Sequence, residues 1–255
     1  MAFYDLNKDA RTTVLETINS ALKADIQSVN RYDLLKYFGD PDTYIRKSAY
    51  QSTGRIYFSE KHLQNKIIQL FDELISHEDH SIRQTTVNAA GEIGKVNFEI
   101  VRIFFDTGLL DSHHTVRNAV IGSVKKMGEV NPKPVLAWAQ EYLHHPDKEI
   151  RREICHGIEL RGRKYPEDVL PLLKELENDQ TTRVSNTLIH VLGQIAYKKG
   201  CLKTVVEHLG TWTNKKLVAS ALEEIIDVHH RYKNFAALTQ DEARKFISDN
   251  YASAD

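Results

Sequence analysis

The sequence predicts an all-α protein, an α-solenoid of about six to seven stacked helix pairs. Helical periodicity covers nearly the whole chain, and no segment alternates polar and apolar residues as a strand would. Only six prolines and 12 glycines interrupt 255 residues, and 41% of them are hydrophobic. A third observation is a sequence pattern that recurs at nearly constant spacing, which is typical of helical repeat proteins.

The repeat consists of a short polar turn, Ile or Val followed by Arg, and a helix that ends near Gly. Copies begin at Asp40, His77, Asp111, His145, Asp179 and Thr213. Aligning them produces one column, hereafter the Arg column, which contains Arg46, Arg83, Arg117, Arg151, Ser185 and Ala219. Its spacing is 37 residues once and 34 residues four times. Such a period predicts one helix pair per copy.

The second helix of each pair follows the turn. Apolar residues recur at −1, 3, 7 and 10 positions from the Arg column, which is one face of a helix. First helices are predicted upstream, in "KHLQNKIIQLFDELIS", "FEIVRIFFDTGLL", "PKPVLAWAQEYLHH", "PEDVLPLLKELEN" and "CLKTVVEHLGTW". Pro132 and Pro166 fall where a first-turn proline is tolerated. Thr239 and Glu242 have capping-box spacing, so the last helix is predicted over "QDEARKFISDN".

We expect these pairs to form a single domain over 1–255, because a lone pair cannot bury both of its faces. Residues 1–39 are assigned to N-terminal capping helices, 40–232 to the repeats and 233–255 to a C-terminal capping helix.

The register resembles that of the HEAT repeat, of the armadillo-type superhelix class. "SIRQTTVNAAGEIG" is the most similar copy, and the resemblance covers roughly 30–232. In HEAT-like repeats the Arg of this column typically binds the turn Asp and nearby carbonyls. The resemblance therefore implies a structural ladder of Arg46, Arg83, Arg117 and Arg151. Asp40 and Asp111 stand six positions before their Arg, and Asp42, Asp79 and Asp147 four before.

The composition of the chain limits the kinds of partner that are expected. The formal net charge is −1, so no global attraction to phosphate backbones or anionic membranes is expected. The first residues contain no apolar signal segment, and no run approaches 18 apolar residues. Two cysteines are too few for a disulfide framework. A cytoplasmic location is expected, without contact with a membrane.

A polar helix face opposite the core stripe is the predicted binding site. The resemblance places the second helices on the concave side, and amides and imidazoles there favour a groove that binds by hydrogen bonds. The predicted groove residues are Lys47, Gln51, Arg55, Gln84, Asn88, Asn118, Arg152, His156, Asn186, His190 and Gln194. Gly122, Glu224, Glu92, Lys125, Lys126, Glu159 and Asp227 share this face.

No catalytic residue, metal or cofactor is predicted. Cys155 and His156 are adjacent on a helix and point about 100° apart, so they do not converge on one atom. Cys155 is expected to be a small buried hydrophobe, and Trp138 and Trp212 are expected to pack in the core or between repeats. The histidines His77, His80, His113, His114, His144 and His145 cluster at the turns, where solvated polar turns are favoured over a zinc or nickel site.

Three functions remain open. The favoured one is a non-catalytic scaffold whose groove binds a protein or peptide. The alternative is a DNA-binding protein similar to the HEAT-like DNA alkylation repair group, with glycosylase-like activity if it is an enzyme. "EIRREICHGIELRGRKYPEDV" carries that resemblance, and the phosphate contacts would come from Arg151, Arg152, Arg161, Arg163, Lys164, Lys198 and Lys199. A partner protein of the bilin-lyase type is a third hypothesis, because short HEAT repeats also occur there.

Overall fold

The computed structural model describes residues 3–28 and 30–251, and these contain helices and no strand. They fall into two compact units, 1–131 and 132–255. The predicted domain boundaries at the two chain ends include residues 1–2 and 252–255, which lie outside the described part.

Unit 1 (1–131) contains seven α-helices among its described residues. They are α1 (Lys8–Gln27), α2 (Tyr32–Phe38), α3 (Thr43–Ser59), α4 (Gln64–Leu74), α5 (His80–Gly94), α6 (Phe98–Leu109) and α7 (His114–Val130). The second helices α3, α5 and α7 pack side by side, and the first helices α4 and α6 pack against them as another layer. Helix α1 packs against α2, α3 and α4.

The core of unit 1 forms where the two layers meet. Phe71 of α4 and Phe104 of α6 are buried and meet edge to face at 5.5 Å between ring centroids. The apolar stripe of α5, from Ile82 to Ile93, is also buried. Each such apolar side chain stabilises the unit by roughly 1.5–3 kcal/mol relative to its exposed state.

Second helices begin at polar turn residues that cap them. Asp42 and Asp79 accept hydrogen bonds from backbone N–H groups two residues later, at 2.8 and 2.7 Å. His113 has the equivalent position in α7 and accepts from the N–H of Thr115. These bonds satisfy donors that a helix N-terminus leaves without partners.

Unit 2 (132–255) contains eight helices in its described part. They are α8 (Pro132–Glu141), α9 (Lys148–Gly157), α10 (Glu159–Gly162), α11 (Pro166–Lys174), α12 (Thr182–Ala196), α13 (Cys201–Leu209), α14 (Lys215–Arg231) and α15 (Gln240–Asn250). Helices α9, α12 and α14 pack side by side, α11 packs on α13, and α15 packs on α14.

The terminal signals of unit 2 are confirmed. Helix α8 begins at Pro132 and α11 at Pro166. Thr239 and Glu242 form the reciprocal bonds of a capping box at the start of α15. One departure from the predicted pattern is a local distortion of the second helix after Asp147. Ile158 separates α9 from the single turn α10, while its backbone stays right-handed helical at φ −88° and ψ −6°.

The all-α helix-pair fold class is therefore confirmed. The core stripe is buried in α5, α7 and α12, whereas Arg161, at a stripe position of α10, is only half-buried. No helix in the described residues is long and apolar enough to cross a membrane.

Candidate functional site

The second-helix face of unit 1 carries six predicted groove residues. Lys47, Arg55 and Asn118 are exposed, and Gln51, Gln84 and Asn88 are half-buried. Asn88 Nδ2 donates to the Gln84 carbonyl of its own helix at 3.0 Å, and Arg46 Nη2 lies 3.5 Å from Gln84 Oε1. Part of the hydrogen-bonding capacity predicted for this face is therefore used within the protein.

A groove of about 1070 Å³ opens between α1 and α3. Its lining residues are Thr12, Leu15, Glu16, Asn19, Ser20, Lys23, Gln51, Gly54, Arg55, Ile56, Phe58, Ser59, Glu60 and Glu92. Among them, Leu15 and Phe58 are large apolar side chains that are 37% and 42% exposed. The groove therefore combines apolar surface with polar and charged groups, as ligand-binding clefts commonly do.

The charges in this groove, which we call the α1–α3 groove, differ in their partners. Glu60 pairs with Lys23, and this hydrogen bond lowers the pKa of the Glu60 carboxyl. Glu92 pairs with Lys95 at 2.6 Å. Arg55 donates to Ser52 Oγ at 2.7 Å and, within residues 3–28 and 30–251, to no carboxylate. Arg55 is thus a cation available to a ligand.

Gly54 lines the α1–α3 groove at the point where α3 packs closely against α5. A Cβ built on Gly54 would lie 2.6 Å from Glu92 Cβ, closer than real atoms approach. Gly91, one repeat later, meets Ser123 in the same way, with 2.6 Å to its Oγ. In unit 2, Gly193 packs against Glu224 and Val228 of α14. All three glycines stand eight positions after the Arg column and allow adjacent second helices to pack closely.

Glu159 occupies this glycine position in the α9–α10 repeat, and it is 2% exposed. Its Oε2 lies 3.0 Å from His156 Nε2, and its Oε1 accepts a hydrogen bond from Arg163 Nη2. His190, on the neighbouring helix α12, has its ring centroid 6.2 Å from that of His156. We call His156, Glu159 and His190, with Arg163 and Gln194, the unit 2 polar cluster.

Gln194 and Arg163 surround the buried carboxylate. Gln194, predicted on the groove surface, is only 3% exposed, because it packs beneath Arg163, which donates to its Oε1 at 2.8 Å. Gln194 Nε2 and Arg163 Nε are buried, and neither has a hydrogen-bond partner in the described chain. On the other side of the cluster, His190 Nδ1 lies 3.8 Å from Glu224 Oε1.

The unit 2 polar cluster has the donor set of a metal site. One ligand atom from each of His156, Glu159 and His190 lies within 4.8 Å of the others, and no other group of three such residues meets this spacing among the described residues. The sequence placed His156, His190 and Glu159 on one face, yet it did not predict their use together. The signal that sequence reasoning missed is Glu159 in a column where three other repeats have glycine.

The remaining predicted groove residues of unit 2 are Arg152 and Asn186. Arg152 Nε donates to Glu149 Oε2 at 2.9 Å, and Nη2 lies 3.4 Å from Glu153 Oε1, so its charge is matched within its own helix. Asn186 is exposed on α12.

Residues of the Arg column bind the turns. Arg83 Nη1 donates to the carbonyl oxygens of His77 and Glu78, and Nε and Nη2 donate to Asp111 of the following turn at 2.7 and 3.0 Å. Arg151 repeats this arrangement with the carbonyls of its own turn and with Asp179, at 2.6 and 3.2 Å. Arg46 and Arg117 also donate to the carbonyls of their own turns.

The acidic partners in these turns have two separate roles. Asp79 and Asp147, which stand four positions before an Arg, cap their helices, whereas Arg83 and Arg151 form bidentate pairs with the next turn's Asp. Burial alone would raise the pKa of Asp111 and Asp179, but hydrogen bonds from Arg83 and Arg151 and from backbone N–H groups lower it below the ordinary value.

The residues predicted to contact phosphate have partners of their own. Arg161 Nε donates to Asp168 at 2.7 Å, and its guanidinium stacks on Tyr165 at 3.8 Å. Lys198 lies over the Tyr197 ring at 4.4 Å, whereas Lys164 and Lys199 are exposed. Arg163 belongs to the unit 2 polar cluster. These residues therefore do not present a uniform cationic surface.

Other reactive-looking residues have structural surroundings. Cys155 is fully buried, and burial raises the pKa of its thiol. Trp138 and Trp212 are buried as well. At the turns of unit 1, His80 and His113 stack at 3.7 Å, and burial together with the neighbouring His80 and His114 lowers the pKa of His113.

Comparisons with known proteins support the fold. No family model and no curated protein matches the chain. Among solved structures, AlkD2 from Streptococcus mutans is similar, with a TM-score of 0.54 and 16% identity over 85% of this chain and 100% of that one. A protein named smu.31 from Streptococcus mutans UA159 has a TM-score of 0.51 and 16% identity, over 80% of this chain and 97% of that one. An archaeal HEAT-like repeats protein from Thermococcus onnurineus NA1 also matches, at a TM-score of 0.40 and 14% identity, over 87% of this chain and 89% of that one.

The two likenesses to the Streptococcus mutans proteins indicate the fold alone, because the identities are low. The chain has a HEAT-like, armadillo-type repeat fold. A fold does not specify an activity or a partner, and both depend on the particular residues of this chain.

Proposed function

We propose that the protein is a non-catalytic scaffold that binds a peptide segment of a partner protein in the α1–α3 groove. The observation that carries this proposal is the groove itself, a cleft of about 1070 Å³ that combines exposed Leu15 and Phe58 with Arg55. Aromatic and arginine side chains are enriched among the residues that dominate binding energy at protein interfaces.

The chemistry of the groove indicates the kind of segment. Lys23 and Glu60 neutralise one another, as do Glu92 and Lys95, so these pairs contribute polarity and little net charge. Arg55 remains as a cation on the second-helix face, and Glu16 is an anion on the α1 side of the same groove. We therefore expect the bound segment to place an acidic side chain at Arg55 and an apolar side chain against Leu15 and Phe58.

The alternative from the sequence, a DNA-binding protein of the HEAT-like alkylation repair group, is compatible with the likeness to AlkD2. The pairing of this chain's arginines with carboxylates argues against DNA binding. Arg161 and Arg163 bind carboxylates, Arg152 pairs with Glu149, and the formal net charge of the whole chain is −1. DNA binding relies on cations that neutralise phosphates and release counterions. Cations already bound to carboxylates serve this purpose poorly.

A peptide-display selection on the full chain tests the proposal. Enriched peptides are synthesised and titrated against the wild type, Arg55→Glu and Phe58→Ala by fluorescence anisotropy. We expect each substitution to weaken binding about tenfold or more, which corresponds to about 1.4 kcal/mol. Arg244→Glu is the matched control, because Arg244 is exposed on α15 in unit 2 and undergoes the same charge change.

Two results would overturn the proposal. One is a selection that enriches no peptide, and the other is a set of peptides whose affinity is the same for Arg55→Glu and Arg244→Glu. A parallel titration with a short DNA duplex at about 50 and 200 mM salt tests the DNA-binding alternative, because the affinity of a DNA-binding protein falls steeply over this range. We expect no binding of the duplex at either salt concentration.

A further inference from the structure

We propose that His156, Glu159 and His190 form a binding site for a divalent transition-metal ion, with zinc as the best match. The site lies in unit 2 and is separate from the α1–α3 groove of unit 1. The inference therefore does not depend on peptide binding.

Geometry brings three ligand atoms to one place. Glu159 Oε2 lies 3.0 Å from His156 Nε2, and one ligand atom of each residue lies within 4.8 Å of the others. Zinc binds imidazole nitrogen and carboxylate oxygen at about 2.0–2.2 Å, so its ligand atoms lie about 3–4 Å apart. Metal binding therefore requires the imidazoles to rotate so that ligand atoms now within 4.8 Å of one another reach this spacing. Both histidine side chains are partly exposed, at 38% and 44%, which gives them room to rotate and gives an ion a path into the site.

Donor chemistry selects the class of ion. Two imidazoles and one carboxylate are the ligands of catalytic-type zinc sites, whereas calcium and magnesium favour sites built from oxygen alone. Three protein ligands leave at least one coordination position for water. We assign an ion to the site and no reaction.

The burial of Glu159 needs an explanation that the repeat does not supply. Three of the other repeats place glycine at this position, where a Cβ would collide with the next second helix. The remaining two carry Lys125 and Asp227, and neither of these is buried. A carboxylate 2% exposed at the same position loses its hydration, which is costly unless cations compensate it. Arg163 compensates at Oε1, while Oε2 faces His156. A metal ion at Oε2 would add a further compensating charge.

Gln194 is an independent observation at the same place. It is 3% exposed, and its Oε1 accepts from Arg163, which orients the amide beside Glu159. Its Nε2 is buried without an acceptor among the described residues. Buried amide donors are rarely left without a partner. A water or hydroxide ligand of the ion would be an acceptor for this N–H.

The surrounding residues resemble the outer shell of a metal site. Ligating histidines commonly donate their other ring N–H to a carboxylate, which fixes the ring and raises its basicity. A carboxylate lies near His190, since Nδ1 is 3.8 Å from Glu224 Oε1, which is longer than a hydrogen bond, and Glu224 is held by Arg231. Arg163, anchored by Gln194, holds Glu159 in the same manner.

The test is a zinc titration of the full chain after removal of metal with a chelator. Calorimetry and competition with a chromophoric zinc chelator measure stoichiometry and affinity for the wild type, His156→Ala, His190→Ala and Glu159→Gly. We expect one equivalent of zinc to bind at this site, and each substitution to weaken its binding at least tenfold. Glu159→Gly restores the residue that three other repeats have, so the metal-free variant should remain folded.

Controls separate this site from other histidines. His230→Ala removes an exposed histidine of the same unit and should leave the zinc affinity unchanged. His113→Ala tests the stacked turn histidines of unit 1. Thermal unfolding of each metal-free variant checks folding, and zinc should raise the melting temperature of the wild type and not that of His190→Ala.

Absence of zinc binding by the wild type would overturn the proposal. So would zinc binding that is unchanged in both His156→Ala and His190→Ala and lost in His113→Ala, because the ion would then be bound by the turn histidines.

Discussion

The α5 repeat of unit 1 and the α9–α10 repeat of unit 2 share the turn Asp and the Ile-Arg step, and they differ in the residue that stands eight positions after the Arg column. Gly91 stands eight residues after Arg83 in an uninterrupted helix, and it packs against Ser123 of α7. Glu159 stands eight residues after Arg151, is buried, and follows an interruption of the helix at Ile158. Both repeats nevertheless form the same bidentate pair with the next turn, Arg83–Asp111 in one and Arg151–Asp179 in the other. In a repeat protein, a position that departs from the packing shared by other repeats is a candidate for a specific role.

Gly91→Glu gives unit 1 the residue of unit 2 and should have the largest effect. A Cβ at this position already meets Ser123 Oγ at 2.6 Å, and Lys95, which is aligned with Arg163, already pairs with Glu92. Overpacking and an uncompensated buried charge should together lower the free energy of unfolding by more than about 3 kcal/mol. Urea denaturation measures this change. A loss below about 1 kcal/mol would mean that the close packing of α5 on α7 is not required.

Arg83→Gln and Arg151→Gln test whether the two units use the ladder equally. Each substitution removes a bidentate pair with a carboxylate whose side chain is 8% or 7% exposed, and it leaves turn carbonyls without a donor. We expect each to lower the free energy of unfolding by about 2 kcal/mol. Urea denaturation of both variants, with Arg244→Gln as an exposed control, provides the measurement. Losses that differ several-fold between the units would show that equal geometry does not mean equal stabilisation.

Acid should destabilise both ladder pairs in the same pH range. The pKa values of Asp111 and Asp179 lie below the ordinary value of 3.8 in the folded protein. Their stabilisation is complete above the pKa of the unfolded chain, and it is lost as the pH falls through the lower folded pKa. The wild type should therefore lose stability as the pH decreases below about 4. Asp111→Asn and Asp179→Asn should each flatten this decline when melting temperature is recorded from neutral to acidic pH. A variant with the same decline as the wild type would exclude that pair as a cause.

Gly122→Ala should have the smallest effect and the opposite sign. Gly122 stands five residues after Arg117, the position that His156 has in its own repeat, and a Cβ there meets no atom within 4 Å. Alanine in the interior of α7 should raise the free energy of unfolding by about 0.5–1 kcal/mol, because glycine loses more backbone entropy on folding. A decrease in stability would indicate that this position is constrained by something other than helix propensity.

The helical periodicity of the sequence accounts for many of the structural features that could be predicted. Burial of the stripe from Ile82 to Ile93, the starts of α8 and α11 at proline, and the capping box at Thr239 are all consequences of local helix geometry. The break at Ile158 was not predicted, because Ile158 itself keeps the apolar stripe and the stripe is lost only at Arg161. Gln194 was expected on a surface and lies beneath Arg163, since periodicity defines a face and does not show which of its residues a neighbouring side chain covers.

The sequence by itself determined the helix-pair fold, because a 34-residue period and apolar spacing are encoded in neighbouring residues of one chain segment. It also placed His156 and His190 in one column, one repeat apart. Only the tertiary structure decided that Glu159 is buried between them, that Arg163 reaches that carboxylate and that Arg83 and Arg151 bind the next turn's aspartate. These contacts join side chains from different helices, and their energies depend on the burial and distance that packing alone establishes.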